Sequence, residues 1–316
     1  MVAGGRPFFI YRHLVFAFKI NYFCILNNHL LRLFVCKQKY LMTLTFGFSP
    51  CPNDTFMFEA IVNKKIDLRG LTFNIMLDDV EHLNKTALNH IPDVTKLSIN
   101  AYTKLYDRYQ LLNSGSALGN NCGPLLISKK PYEPKDVNKL TIAVPGYNTT
   151  AFLLLKYAFP DTTTFKEYIF SDIEHAVLSG QADAGVIIHE NRFTYSQKGL
   201  FKIMDLGENW EASTGSPIPL GGIAIKRSLP ESIKIKVNNI LFDSIKYAFE
   251  HPQESLPFIS LHAQEMDTDV MQSHIRLYVN QYSQDIGLAG KHAVNTLFRI
   301  VHPDIMEDKL NDLFVR

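Results

Sequence analysis

The sequence predicts a two-lobed α/β protein whose lobes are joined by two crossings of the chain. Three observations predict it: a length of 316 residues, short apolar strands alternating with helical segments from residue 42 onward, and almost purely helical signals after residue 230. At roughly 150 residues per domain, the chain is long enough for about two domains. A cleft between the two lobes is the expected place for a small ligand.

Composition narrows the class of partner. The chain is 46% hydrophobic and 20% charged with a net charge of +1, which indicates a globular protein and gives no support for binding nucleic acid or an anionic membrane. A small-molecule partner is therefore expected. Cys24, Cys36, Cys51 and Cys122 form no CxxC pair and no zinc-type cluster. Neither a disulfide framework nor a structural metal is indicated, and a reducing cytoplasm is the expected location.

Residues 1–41 differ from the rest of the chain, because they carry six Lys or Arg and no acid. Their longest uncharged run, Ile20–Leu31, contains Asn and His and is shorter than the ~20 apolar residues of a spanning helix. Lys37 and Lys39 occupy the place of the small residues of a signal-peptide cleavage site. We predict no stable membrane insertion and interpret this segment as an upstream mis-start or a poorly ordered tail. An interfacial amphipathic segment is the alternative.

The first lobe is predicted over residues 42–130, to which residues 221–316 return. Its elements are a strand at 44–48, the turn "SPCPND", a helix at 55–65, a strand at 71–80, a helix at 81–90, and a strand running into a helix at 93–102. In the turn, Asn53 or Asp54 can cap the helix that follows. The βαβα order predicts a mainly parallel sheet.

The second lobe is predicted over residues 131–220, after a break marked by two prolines and a run of charges at 129–139. A strand at 140–144 leads through a polar loop into an apolar helix from about Ala151. Ser171 and Glu174 then form a capping-box pattern, a helix stops at Gly180, and the strand "AGVII" delivers His189 to its carboxyl end. After the loop at 213–220, the strand "GGIAIKR" and long helices return to the first lobe.

Four segments are predicted to converge on one rim, because ligands bind beyond the carboxyl ends of strands in open α/β sheets. They are "SPCPND", "TKLS", "PGYNTTA" and "HENR". Helix starts expose backbone N–H groups that favour an anion, so a small carboxylate or phosphate is the expected ligand. The candidate residues are Asn53, Lys96, Leu97, Ser98, Thr149, Thr150, Ala151 and His189.

Each candidate also has a structural interpretation. Thr149 and Thr150 are ordinary helix caps, while Lys96 and Ser98 fit a solvated lysine and a strand-end serine. His189 fits either a rim histidine bonded to backbone or a base, since an ordinary pKa near ~6.5 suits proton transfer. Cys51 is interpreted as a small turn residue. Three acids are interpreted as solvated or capping residues: Asp79, Glu81 and Asp183.

The segments "GFSPCPNDTFMFEA", "TKLSINAY", "GSALGNNCGPLL", "AVPGYNTTAFLLL" and "AGVIIHENRFTY" resemble, in order and spacing, the 1,4-dihydroxy-6-naphthoate synthase family of the futalosine route to menaquinone. The resemblance runs from about Met42 to the C-terminus, and residues 1–41 match nothing in it. It implies a fold similar to type II periplasmic solute-binding proteins. It also implies a lyase that converts cyclic dehypoxanthine futalosine into 1,4-dihydroxy-6-naphthoate and dihydroxyacetone, without a redox cofactor or metal.

The resemblance also implies residue roles. The histidine matching His189 is the proton acceptor, and the segments matching Lys96 to Ser98 and Thr150 to Ala151 line the substrate site. Two alternatives stay open: a two-lobed solute-binding protein for a small carboxylate, and an enzyme like the chorismate dehydratase of the same pathway. The first requires export from the cytoplasm, and the second lacks the "SPCPNDTF" and "HE.RFTY" motifs.

Overall fold

The protein was examined as a computed structural model that describes residues 42–263 and 267–316. The interpretations of residues 1–41 lie outside this part of the chain. No helix among the described residues is long and apolar enough to cross a membrane. The strands are β1 (Met42–Phe48), β2 (Leu71–Leu77), β3 (Val94–Ser98), β4 (Tyr109–Leu111), β5 (Ala117–Gly119), β6 (Leu125–Ser128), β7 (Ile142–Val144), β8 (Phe165–Glu167), β9 (Ala184–Ile187), β10 (Phe201–Asp205) and β11 (Ile218–Lys226).

The prediction of long helices after residue 230 is confirmed, and one of them is 20 residues long. The α-helices are α1 (Pro52–Val62), α2 (Val80–Leu88), α3 (Ile99–Tyr102), α4 (Thr150–Ala158), α5 (Ile173–Leu178), α6 (Asn191–Thr194), α7 (Leu206–Thr214), α8 (Glu231–Glu250), α9 (Leu256–His262), α10 (Thr268–Tyr278), α11 (Gln281–Gln284), α12 (Gly287–Val301) and α13 (Glu307–Leu310). Short 3-10 turns occur at Pro134–Lys139, Phe170–Asp172 and Tyr195–Lys198.

The strands form two sheets, which confirms the predicted α/β class. The first has the order β2-β1-β3-β11-β4, with β5 also paired to β11, and the second has the order β10-β6-β9-β7-β8. The prediction of a mainly parallel sheet is wrong, because β11 runs antiparallel to β3, β4 and β5, and β6 runs antiparallel to β9 and β10. β6 and β11 are the strands by which the chain enters each sheet from the other, and each runs antiparallel to its neighbours. The alternation of apolar residues along a strand shows which face is buried but not the direction of the neighbouring strand.

The chain changes sheet twice. Strand β6 pairs in the second sheet although it precedes residue 130, so the first change falls between β5 and β6. Strand β11 then returns to the first sheet beside β3. The division into lobes at 130 and 220 stays a prediction, and strand pairing alone places the first change a few residues earlier.

The C-terminal helices cover the first sheet. Helix α8 packs against α1, and the hydroxyl of Ser244 donates to the backbone oxygen of Met57 at 2.7 Å. Helices α9 and α10 pack against the same helix. Helix α1 is almost entirely buried as a result, which explains why it has apolar residues on every side.

Two capping predictions are wrong. Cys51, not Asn53 or Asp54, is the N-cap of α1, and no side chain caps this helix. Asp54 instead accepts hydrogen bonds from the backbone and hydroxyl of Ser49. Ser171 does not cap α5, whose N-cap is Asp172, because Ser171 lies within the 3-10 turn Phe170–Asp172 that precedes the helix. Glu174, the other residue of the predicted capping box, accepts hydrogen bonds from Asn191 and Lys198 instead.

Glu81 joins the two sheets and is not the solvated acid predicted from sequence. It is buried on α2, and its carboxylate accepts hydrogen bonds from the backbone and the side-chain amide of Asn148, the latter at 2.7 Å. Gly146 adjoins it with a φ of 130°. A Cβ built on Gly146 would lie 2.3 Å from Cγ of Glu81, so only glycine fits this approach.

We expect Gly146→Ala to lower the free energy of unfolding by about 2 to 4 kcal/mol, from a strained φ and a steric clash together. The matched control is Gly180→Ala. Gly180 also has a positive φ of 79°, but a Cβ there meets nothing within 4 Å. It is expected to cost only about 1 kcal/mol. Urea unfolding measures both variants, and equal losses would show that the contact with Glu81 contributes nothing.

Candidate active site

A cleft lies between the two sheets, with about 640 Å³ of empty space that includes its opening to solvent. A cleft of this kind is a common place for a small molecule to bind. Its walls are mostly apolar. The apolar lining residues include Val80, Ala117, Leu220 and Tyr278. All eight residues predicted from sequence line this cleft: Asn53, Lys96, Leu97, Ser98, Thr149, Thr150, Ala151 and His189. Their roles remain predictions.

A buried ion pair forms one wall. Lys96, from β3, donates to Oδ1 of Asp54, in the first turn of α1, at 2.6 Å. Their side chains are only 7% and 1% exposed, so the solvated-lysine interpretation of Lys96 is wrong. The same carboxylate accepts from the backbone N–H and hydroxyl of Ser49 and from the amide of Asn53. Because each carboxylate oxygen is occupied, the pair is a fixed feature of the wall.

His189 stands just beyond the carboxyl end of β9, as predicted. Its φ is 58°, in the left-handed region that costs an L-residue about 1–2 kcal/mol. The chain after it is anchored to the second sheet, because Arg192 donates to the backbone oxygen of Gly123 at 2.6 Å and to Asp205 at 2.8 Å. Backbone strain at a cleft is a recurrent mark of functional sites.

The imidazole of His189 is packed between two rings. Phe170 meets it edge to face with ring centroids 4.8 Å apart, and His274 lies nearly parallel to it at 5.9 Å and 18°. No hydrogen bond from the described part of the chain reaches either of its ring nitrogens. Burial lowers the pKa of His189 from 6.5 to about 4, against the opposing effect of Asp54. The ring is therefore neutral at pH 7 and free to accept a proton.

The start of α4 faces the cleft from the second-sheet side. Thr149 is its N-cap, as predicted, and accepts from the N–H of Phe152 at 3.2 Å. The hydroxyl of Thr150 donates to the backbone oxygen of Leu220 at 2.7 Å. Because these hydroxyls already have partners, the backbone N–H groups of Thr150 and Ala151 are what the helix start offers an anion.

Ser98, at the end of β3, offers a hydroxyl. Its N–H donates to Oδ1 of Asn84 at 3.0 Å, and its Oγ accepts from the amide of the same residue at 3.1 Å. The hydroxyl proton of Ser98 is therefore free to point into the cleft. Asn84 in turn contacts Glu81, so this corner of the site is tied to the contact between the sheets.

Sequence reasoning missed two groups of this site. Asp54 was interpreted as a helix cap although it lies in a quoted motif, and His274 lies on α10, where an amphipathic pattern hides it. Burial raises the pKa of Cys51 and raises that of Cys122 to about 12, so both thiols are protonated at pH 7 and are poor nucleophiles. Among the described residues, no group of three or more His, Cys, Asp or Glu is placed to hold a metal ion.

Comparison with known proteins identifies the family to which the chain belongs. The profile of a family described as Menaquinone biosynthesis matches residues 44–303. A Thermus thermophilus protein named 1,4-dihydroxy-6-naphtoate synthase is 42% identical over 255 residues, which are 81% of this chain and 92% of that protein. The chain belongs to this menaquinone biosynthesis family.

Solved structures show the fold of the family. A crystal structure from Archaeoglobus fulgidus superposes with a TM-score of 0.78 at 32% identity, over 83% of this chain and 98% of that one. The ligand-binding component of an ABC-type import system from Staphylococcus aureus superposes with a TM-score of 0.62 at 13% identity, over 87% and 96% of the two chains. The predicted likeness to periplasmic solute-binding proteins is confirmed at the level of fold.

We expect Lys96→Met to lower the free energy of unfolding by about 3–5 kcal/mol, because it leaves the carboxylate of Asp54 buried without its cation. The double variant Asp54→Asn with Lys96→Met removes that charge and is expected to recover part of the loss. The control, Arg69→Met, breaks an ion pair with Asp243 that is 38% exposed on each side and costs at most about 1 kcal/mol. Urea unfolding compares them. A loss in Lys96→Met no larger than the control contradicts the prediction.

The lowered pKa of His189 predicts a pH dependence of stability. The unfolded chain takes up a proton near pH 6.5, whereas the folded chain resists it until about pH 4. The unfolded state binds more protons in this window, so the wild type loses stability as the pH falls through it. His189→Gln is expected to lose less over the same range. Urea unfolding from pH 7 to pH 4.5 tests this, with His292→Gln, at an exposed histidine, as control. Parallel curves for wild type and His189→Gln contradict it.

Proposed function

We propose that this protein acts as a 1,4-dihydroxy-6-naphthoate synthase. It converts cyclic dehypoxanthine futalosine into 1,4-dihydroxy-6-naphthoate and dihydroxyacetone in menaquinone biosynthesis. The observation that carries the proposal is the meeting of His189, Lys96 and the start of α4 in one cleft of a chain 42% identical to a synthase. Resemblance supplies the reaction, and the cleft supplies groups that suit it.

His189 is the proposed base. The neutral ring, with unengaged nitrogens, is in the state that accepts a proton at pH 7. Taking a proton from the substrate starts carbon–carbon bond breaking and lets the fused ring become aromatic. A pKa of about 4 makes the imidazole of His189 a weak base, and a carboxylate bound nearby raises that pKa because it stabilises the imidazolium. Binding of the anionic substrate therefore strengthens the base that acts on it.

The substrate carboxylate is proposed to bind at the start of α4. Backbone N–H groups of Thr150 and Ala151 and the hydroxyl proton of Ser98 are the available donors, and the helix dipole favours an anion there. The apolar walls, with Leu97, Leu220 and Tyr278, suit the faces of a fused ring system. Fixing the ring between these groups and His189 supplies the orientation that proton removal requires.

Two alternatives are less well supported. A solute-binding protein shares the fold, but its likeness at 13% identity speaks for fold alone. An enzyme resembling chorismate dehydratase belongs to the same pathway, but the "HE.RFTY" motif that carries His189 favours the synthase. We further propose a cytoplasmic location and a small carboxylate as the partner, as composition and the resemblance suggest.

The test is to incubate the full chain with cyclic dehypoxanthine futalosine and follow products by mass spectrometry. Formation of 1,4-dihydroxy-6-naphthoate and dihydroxyacetone is expected. Binding without turnover favours the solute-binding alternative, and loss of water from chorismate favours the dehydratase. Either result, in the absence of the naphthoate, rejects the proposal.

His189→Ala is expected to lower kcat by ~10² or more, because a general base is typically worth ~10² to 10⁴ in rate. Substrate binding, measured by calorimetry, is expected to stay within a few-fold of wild type. His292→Ala, which removes an exposed histidine, is the control and keeps normal turnover. Near-normal turnover in His189→Ala would remove His189 from the role of base while leaving the overall reaction in place.

A further inference from the structure

His274 is a buried histidine to which neither the motifs nor the resemblance assigned a role. It lies on α10, is 0% exposed, and presents the face of its imidazole to that of His189, with the planes 18° apart. Because no hydrogen bond from the described residues holds the nitrogens of His189, the orientation of that ring depends on its packing against Phe170 and His274. His274 is therefore a ring that lies nearly parallel beside the proposed base, with the ring centroids 5.9 Å apart.

Hydrogen bonding fixes the ring of His274. The amide nitrogen of Asn53 donates to Asp54 at 2.9 Å, which leaves the amide oxygen of Asn53 facing Nε2 of His274 at 2.9 Å. An amide oxygen only accepts, so Nε2 carries the hydrogen. The ring is thus tied, through one side chain, to the ion pair of Asp54 with Lys96.

The opposite nitrogen of His274 faces the residue that follows the base. Nδ1 lies 3.6 Å from Oε2 of Glu190, which is beyond hydrogen-bond distance. Burial lowers the pKa of His274 well below 6.5, and the nearby His189 and Lys96 add to this. The ring is therefore neutral, and it holds its position through Asn53 and through packing against His189 and Tyr278.

We propose that His274 is a positioning residue, which holds the imidazole of His189 in its reactive orientation through ring packing and links it through Asn53 to the Asp54 and Lys96 pair. This inference rests on the proposed role of His189 as base. Helix α10 follows the return of the chain to the first sheet, whereas His189 follows β9 of the second sheet. The contact thus aligns the base with groups on the other side of the cleft.

The test compares three substitutions in the full chain. His274→Leu removes the flat ring and is expected to lower kcat about 10- to 100-fold with KM within about 3-fold, because a misplaced group loses rate more than binding. His274→Phe restores a flat ring without nitrogens and is expected to recover kcat to within about 5-fold of wild type. His274→Gln keeps a donor for Asn53 without a ring and is expected to resemble the Leu variant.

The matched control is His302→Leu. His302 is a partly buried histidine that contacts Phe298 and bonds the backbone oxygen of Thr103 at 2.9 Å, and it does not line the cleft. Normal kcat and KM are expected. Melting temperatures accompany every variant, and if the Leu variant does not fold, the comparison of Phe with Gln decides the matter. Equal kcat in the Phe and Gln variants, or normal kcat in both, overturns the proposal.

A double-mutant cycle separates this inference from the proposed function. If His274 acts through His189, adding His274→Leu to His189→Ala is expected to lower the residual turnover no further. Independent, multiplying losses overturn the positioning role even when His189 is the base. If His189→Ala alone has normal turnover, it is the role of His189 that fails, and the overall reaction is judged separately by product formation.

Discussion

The buried ion pair between Asp54 and Lys96 is the interaction on which the site depends. Taking both charges out of water is costly unless every lone pair and proton is satisfied, and Ser49 and Asn53 complete the carboxylate. The requirement explains why the first turn of α1 carries polar residues in a buried helix that is mostly apolar after that turn. Satisfying one buried charge therefore fixes several side chains of the cleft at once.

Hydrogen bonds extend from this pair across the cleft. Asn53 also bonds His274, whose ring lies nearly parallel to that of His189 on the far side. A second set of bonds, from Ser98 through Asn84 and Glu81 to Asn148, joins the same two sides at the other end. Both routes run through buried polar groups, which tolerate little misplacement because an unpaired group in such a place is costly.

The same arrangement relates the fold to the proposed chemistry. The fold is shared with a ligand-binding component of an import system, and a cleft with a helix start on one wall suits an anion. In this chain the cleft also holds His189, a residue with a φ of 58° whose buried imidazole is neutral at pH 7. The proposed function adds to this fold one group, a base at His189, for removing a proton from the ligand.

The sequence alone determined part of the local structure and the place of His189. Apolar runs, glycines and prolines located β1, β2, β3, β7, β9 and β11, whereas β4, β5, β8 and β10 were not predicted. The rule that ligands bind beyond strand ends brought Lys96, Ser98, Thr150 and His189 to one cleft. Strand direction after each change of sheet was decided only by the tertiary structure, because periodicity records which face of a strand is buried and not which way its neighbour runs.

The tertiary structure also decided the partners of each polar group. Asp54 and Glu174 were predicted to cap helices, yet Asp54 pairs with Lys96 and Glu174 pairs with Lys198, both distant in sequence. A buried carboxylate is stabilised most by a cation. His274 lies 85 positions after His189 in the chain and meets it only because α10 covers the cleft. A contact between residues so far apart follows from packing, which no local pattern encodes.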